Sequence, residues 1–253
     1  RLDFRLSHPG LRQIGRLMVP SFLGSAVYQI NILIGTILAS LLPRGRVAFL
    51  YYADRVVELP LGVFAIAVGT AALPSFSAQV SAGDLEKLKK TISFSLRLIL
   101  FITIPATVAL IALRVPIISV LFQRGAFDDR STLLTAEALF FYALGLWAFS
   151  TIRIIDSAFF SIQDRKSPLK VAFVSLFVNV AFSVVLMFPL KHGGLALATS
   201  IASAVNVIIL AIILKKKIGA FLDGEFYHSL RRTFIASLTM WGSLILIDFL
   251  FPW

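Results

Sequence analysis

Cysteine is absent from the 253 residues, which excludes disulfides, thiolate metal sites and a cysteine nucleophile. Charge is scarce as well, since Asp, Glu, Lys and Arg make up 15% of the chain, against about 25% in a soluble domain. The three histidines, His8, His192 and His228, are too scattered for metal-ligand spacing, so neither a metal nor another cofactor is expected. Acids are the rarer charge, with 13 against 24 Lys and Arg and a net charge of +11. In a water-soluble chain that excess would point to nucleic acid. Here basic residues on the cytoplasmic loops of a membrane protein explain it better, and no nucleic-acid partner is expected.

Apolar residues are plentiful: 58% of the chain is hydrophobic and the mean hydropathy is +0.90. A water-soluble fold of this size could not hide so much apolar surface, so lipid must cover part of it. Runs of roughly 20 apolar residues recur, the length an α-helix needs to cross the hydrocarbon core. They are continuous rather than alternating, which favours helices over a barrel. The expected fold is an all-α, multi-pass transmembrane bundle.

Seven spans are expected, at about 17–42, 48–78, 91–113, 131–161, 169–190, 193–214 and 231–251. One set of span ends holds 15 Lys and Arg and the opposite set holds 6. The positive-inside rule puts the richer set in the cytoplasm, with the N-terminal stretch inside and the seventh span ending outside. The opening RLDFRLSHPG resembles neither a start nor a signal peptide and has no initiator Met, so a piece of a longer chain is expected. Between the third and fourth spans, Val115 to Phe122 is too short to cross and too apolar for a loop; a short helix in the outer interface is expected there.

Three arginines fall inside spans. Arg97 lies near the cytoplasmic end of the third, where a long side chain can snorkel to the interface. Arg153 and Asp156 share a face near the middle of the fourth; they either neutralise each other or line a wet cavity. The third, Arg55, belongs to a charged turn at the start of the second span. Asp54 and Glu58 stand four apart and Arg55 three before Glu58. Such charges are expensive within a bilayer and usually face a protein interior or a water-filled cavity. The bland alternative is a clamp between two helices. Pro60, Gly62, Gly69 and Pro74 follow in the same span and allow it to bend or pack closely.

Four strings carry a resemblance. YYADRVVELPLGVFAIAVGTAALPSFS from Tyr51, LFQRGAFD from Leu121, QDRKSPLK from Gln163 and GGLALATS from Gly193 resemble, in order and spacing, the MurJ/MviN family. These are bacterial lipid II flippases of the multidrug/oligosaccharidyl-lipid/polysaccharide exporter superfamily. The resemblance implies a C-terminal half: a cytoplasmic linker at 1–16, a six-span lobe at 17–217, and a loop with the first helix of a final pair at 218–253. It implies an inner-membrane, multi-pass transporter rather than an enzyme. Its substrate would be the undecaprenyl-diphosphate-linked peptidoglycan precursor, moved from the inner to the outer leaflet. The implied partners are that lipid, the surrounding membrane lipids and the missing N-terminal lobe of the same polypeptide.

By the same resemblance Arg55 matches a functional arginine of a cationic central cavity, with Asp54 and Glu58 beside it. A guanidinium binds diphosphate oxygens through a bidentate, charge-assisted fork. Two departures stand out. Gly35 and Ser183 occupy positions where aspartates of a coupling-cation site are expected in many relatives, leaving Asn179 and Thr199 as polar remnants. The alternatives are an exporter of another lipid-linked oligosaccharide, a drug antiporter of the same superfamily, a structural membrane subunit, or a membrane-embedded enzyme on polyprenyl phosphates. The enzyme would need clustered nucleophile, base or metal-binding acids; only Asp128 and Asp129 come near.

Overall fold

The computed structural model describes residues 9–250, apart from the side chains of residues 9–21, 23, 25, 248 and 249. Residues 1–8 of the expected linker therefore lie outside the described residues, as does the tail beyond 250. Helices account for nearly all of the rest, in the order α1 (Pro9–Ser40), α2 (Arg46–Pro60), α3 (Ile66–Ser81), α4 (Leu85–Ala112), α5 (Arg114–Phe122), α6 (Asp129–Ala143), α7 (Leu146–Ser161), α8 (Lys166–Ile218) and α9 (Gly224–Leu250).

Helices α2 and α3 are one rod with a π-turn, Leu61–Ala65, in its middle. Pro60 brings no backbone N–H and crowds the preceding turn; the π-turn directly after it absorbs the misfit without breaking the rod. Helices α6 and α7 meet at 43° across Leu144 and Gly145, so the expected fourth span is bent. A Cβ on Gly145 would sit 2.5 Å from the Ser200 hydroxyl oxygen. Glycine is therefore required where this bend meets α8.

Helix α8 is 53 residues long but not straight, because Lys191 breaks it with φ 51° and ψ −127°. The chain folds back there. The Asn179 amide reaches the Thr199 hydroxyl at 3.1 Å, and a Cβ on Gly194 would strike the Leu186 carbonyl oxygen. Each arm, 166–190 and 192–218, is at least as long as a span of about 20 residues needs to be. By length and hydropathy four segments among the described residues can cross a membrane, or five with the bent α6–α7 pair. The expectation was seven. Part of the shortfall is the fold-back within α8; another part is α1, whose described apolar stretch is Ala26–Ser40.

Turns alternate between two ends. Lys217 at the end of α8 pairs with Asp164 of the α7–α8 turn at 3.0 Å, and Ser93 of α4 donates to Asp223 of the α8–α9 turn at 2.9 Å. At the opposite end Arg46 meets His192, and the Tyr52 ring lies 4.9 Å from that of Phe122. The core divides along the same axis. Phe76, Leu88, Ile92, Phe159 and Leu214 fill the lysine-rich end; Leu50, Ala53, Ile118, Leu139 and Leu146 fill the other. Many large side chains face outward, Phe177 and Phe188 at 72% and 77% exposure among them. In lipid such side chains lose nothing, and helix association rests on close packing and hydrogen bonds.

The polar helix starts explain two of the recognised strings. Asp128 of LFQRGAFD caps α6 by accepting from the Ser131 N–H at 2.8 Å. Asp164 of QDRKSPLK accepts from the Lys166 and Ser167 N–H groups, each at 3.0 Å. Each cap satisfies backbone donors that the helix itself leaves free.

Candidate functional site

The charged turn forms where the spacing places it. Arg55 and Glu58 lie one turn apart on α2, and the guanidinium donates to the Glu58 carboxylate at 2.5 Å. The same guanidinium lies 4.7 Å from the centroid of the Tyr51 ring, close enough for a cation–π contact. Arg55 remains half exposed, at 51%, and Glu58 is 41% exposed. Together with Tyr51 and Leu59, which are also exposed, they make a mixed face on the outside of this bundle. The acid clamps the arginine without covering it, so donors remain for an anion.

Asp54 behaves differently from Glu58. It is half-buried, on the side within electrostatic reach of Tyr142 on α6. It makes no hydrogen bond or ion pair within 4 Å among the described residues. Of the three expected site residues, two are coupled and the third stands apart behind them.

Arg153 and Asp156 do not pair. Three residues apart on α7, they form no ion pair or hydrogen bond with each other, so mutual neutralisation is ruled out at contact distance. Arg153 is exposed and Asp156 half-buried. A Cβ added to Gly69 of α3 would lie 3.5 Å from the Arg153 carbonyl oxygen, and Ser157 donates to the Gly69 carbonyl at 3.1 Å. The second span therefore packs on α7 at Gly69, with room for an ordinary van der Waals contact there.

Asn179 and Thr199 hold each other. Asn179 is buried, donates to Thr199, and accepts from Ser183 at 3.4 Å. Among the described residues no group of three or more His, Cys, Asp or Glu could hold a metal ion. The polar pair stitches the two arms of α8.

Two relationships had no trace in local sequence. Arg97 pairs with Glu225 at the start of α9 at 2.5 Å, so it reaches across to a partner 128 residues away rather than simply toward water. Arg46 had the look of a loop cation, yet it is 8% exposed and its guanidinium contacts the Nδ1 of His192 at 2.6 Å. Beside the α2 start, Tyr52, Phe122, Arg124, Ala126 and Phe127 line an open cleft of about 490 Å³.

Outside the helices, electrostatics favours ionised carboxylates. Burial would raise the Asp164 carboxyl, but hydrogen bonds from Ser167 and the Lys217 ammonium outweigh it and hold it below the ordinary carboxylate range. Asp223 is likewise lowered, against its partial burial, by the Ser93 hydroxyl and the Phe226 N–H.

Against known proteins, the family model described as lipid II flippase MurJ matches residues 1–253. A probable lipid II flippase MurJ of Buchnera aphidicola subsp. Acyrthosiphon pisum is 36% identical over 88% of this chain and 44% of its own length. Its counterpart in Vibrio cholerae serotype O1 is 33% identical over 94% of this chain and 44% of its own length. Among solved structures, a lipid II flippase MurJ in an inward closed conformation superposes with a TM-score of 0.83 at 28% identity, over 98% of this chain and 50% of that one. An outward-facing multidrug resistance MATE transporter gives 0.69 at 17% identity, over 93% and 54%, which shows a shared fold alone. The chain spans about half the length of the curated relatives it matches.

Proposed function

The chain belongs to the lipid II flippase MurJ family, and we propose that it is the second lobe of a flippase for the lipid-linked peptidoglycan precursor. The family is one of transporters, not enzymes. In this reading the lysine-rich end lies in the cytoplasm of a bacterium, seven spans cross the inner membrane, and residues 17–217 make the lobe. Its missing counterpart is a first lobe of the same polypeptide, which packs against the face carrying Tyr51, Arg55 and Glu58.

One observation carries the reading most: a guanidinium held in place by Glu58 yet half exposed at the surface of a lipid-embedded helix. An arginine serving only as a clamp would be covered, because charge in contact with lipid is costly. An uncovered one needs an anionic ligand, water or both. A diphosphate matches the fork of donors and supplies the charge. Glu58 competes with it, so the lipid can leave on the far side. Asp54, Arg153 and Asp156 extend the polar surface of the same cavity. Asn179 and Thr199 satisfy each other, which favours a structural role over cation binding.

The test is depletion of the resident flippase in a bacterium and rescue by the full-length gene. Growth with normal cell shape is the expected result. Lysis despite a well-inserted product would reject the substrate.

A further inference from the structure

At the end of the bundle opposite the lysine-rich turns, three elements converge on one buried imidazole. His192 follows the strained Lys191 at the tip of the α8 hairpin and is fully buried. Its Nδ1 lies 2.6 Å from the Arg46 guanidinium, which belongs to the first turn of α2. Its Nε2 lies 2.7 Å from the Leu134 carbonyl of α6. The Phe49 ring packs edge-on against it with centroids 6.1 Å apart.

Donor and acceptor rules fix its state. A guanidinium only donates and a carbonyl only accepts. Nδ1 must therefore be bare and Nε2 must carry the proton, so the ring is neutral. The titratable and charged groups facing it are Arg46 from α2, Glu137 from α6 and Lys191 beside it on the hairpin. Glu137 places a carboxylate oxygen 3.9 Å from Nε2, just beyond hydrogen-bond reach. Arg46 has no carboxylate within 4 Å among the described residues, so the imidazole is the group that receives it.

We propose that His192 is a positioning residue for the charged turn of α2: neutral, it anchors Arg46 and fixes the start of the helix, and protonated, it releases Arg46 and turns to Glu137. A proton on Nδ1 replaces an acceptor with a donor facing a fixed cation, so the contact becomes repulsive. The beginning of α2 then loses its tie to the hairpin. Two and a half turns further along the same helix stands Arg55, so the register of the substrate-facing side chain depends on the tie. Periplasmic acidity would thus slow transport. This inference rests on the flippase reading for its consequence but not for its chemistry.

The experiment uses the full-length polypeptide in lipid nanodiscs, with ¹⁵N-labelled histidine and the His192 signals assigned by their loss in His192→Asn. At pH 7.5 the expected ring is bare at Nδ1 and protonated at Nε2. A ring protonated at Nδ1 would overturn the inference, whether or not the protein flips lipid II. Flipping is then measured from about pH 7.5 down to about pH 4.5, a range wide enough to titrate a buried imidazole. The wild type should fall at least about threefold as the imidazole titrates, whereas His192→Asn, which keeps an acceptor for Arg46 but cannot titrate, should stay nearly level. Parallel falls in the two proteins would overturn it. Glu137→Gln provides a second variant that keeps the ring: without the acid that receives the protonated imidazole, the fall should move to lower pH, and an unmoved profile would count against the inference.

Discussion

Asn179 and Thr199 lie twenty residues apart in sequence, yet the amide of one donates to the hydroxyl of the other at 3.1 Å. In a straight helix they would be about 30 Å apart. Their contact shows that the long α8 is a hairpin, and Asn179, 4% exposed, has no water to fall back on. A hydrogen bond between membrane helices is worth about 0.6 kcal/mol on average and up to about 1.7. A double-mutant cycle of Asn179→Ala and Thr199→Val in the full-length protein should give a coupling energy in that range by thermal unfolding in detergent. Strict additivity would place the two side chains out of contact.

Glycines of the α8 hairpin and of the earlier helices differ sharply in tolerance. A Cβ on Gly194 would strike the Leu186 carbonyl oxygen, while one on Gly62 or Gly35 meets nothing within 4 Å. Gly194→Ala should prevent the arms from closing and cost more than about 3 kcal/mol, beyond ordinary overpacking. Gly35→Ala should be nearly neutral. Fluorescence-detected size-exclusion of the two alanine variants checks this; a monodisperse Gly194→Ala protein would contradict the close approach.

The pairing of Asp164 with Lys217 sets a pH dependence at the lysine-rich end. The folded carboxyl is held below the ordinary range, so it supports the fold above its unfolded value, about 3.9, and that support is lost as pH falls through the lower folded value. Between about pH 4 and pH 2, the wild type should lose stability faster than Asp164→Asn. Superimposable acid unfolding curves would mean that the cap and ion pair contribute nothing. The partner Lys217 is 43% exposed although Asp164 is only 14% exposed, so water screens the pair and the difference should be small.

Membrane orientation follows from where the two groups of turns lie. Because this chain has no cysteine, single cysteines introduced into a cysteine-free full-length protein report directly. Cysteines at Gly83 and Gly219 should react with an impermeant maleimide only from the cytoplasm, and one at Gly125 only from outside. Outside labelling of Gly219 would reverse the topology.

Local patterns were legible and distant ones were not. Arg55 and Glu58 were readable because three residues on a helix always share a face, and the structure joins them. A disturbance after Pro60 was readable because proline removes a backbone donor, and the structure meets it with a π-turn. Arg46 and His192 were not readable, since 146 residues separate them and each alone resembles an ordinary loop residue. The same holds for Arg97 and Glu225. Arg153 and Asp156 show the reverse: helical spacing put them on one face, but spacing cannot say whether side chains meet, and these form no hydrogen bond or ion pair with each other. The expected break between spans 169–190 and 193–214 falls where α8 folds back at Lys191.

The central claim, that Arg55 contacts the substrate, is tested most directly by lipid II translocation in the full-length protein with that side chain changed. A hydrogen bond to a charged group is worth about 1.5–3 kcal/mol, so Arg55→Ala should slow translocation by about 10–100-fold. Arg55→Lys, which keeps the charge but loses the fork, should fall between. The double change of Arg55 and Glu58 to leucine separates the readings, because removing a whole ion pair is often neutral for folding. The account predicts a well-inserted double variant that does not translocate; wild-type translocation by a well-expressed Arg55→Ala protein would contradict it.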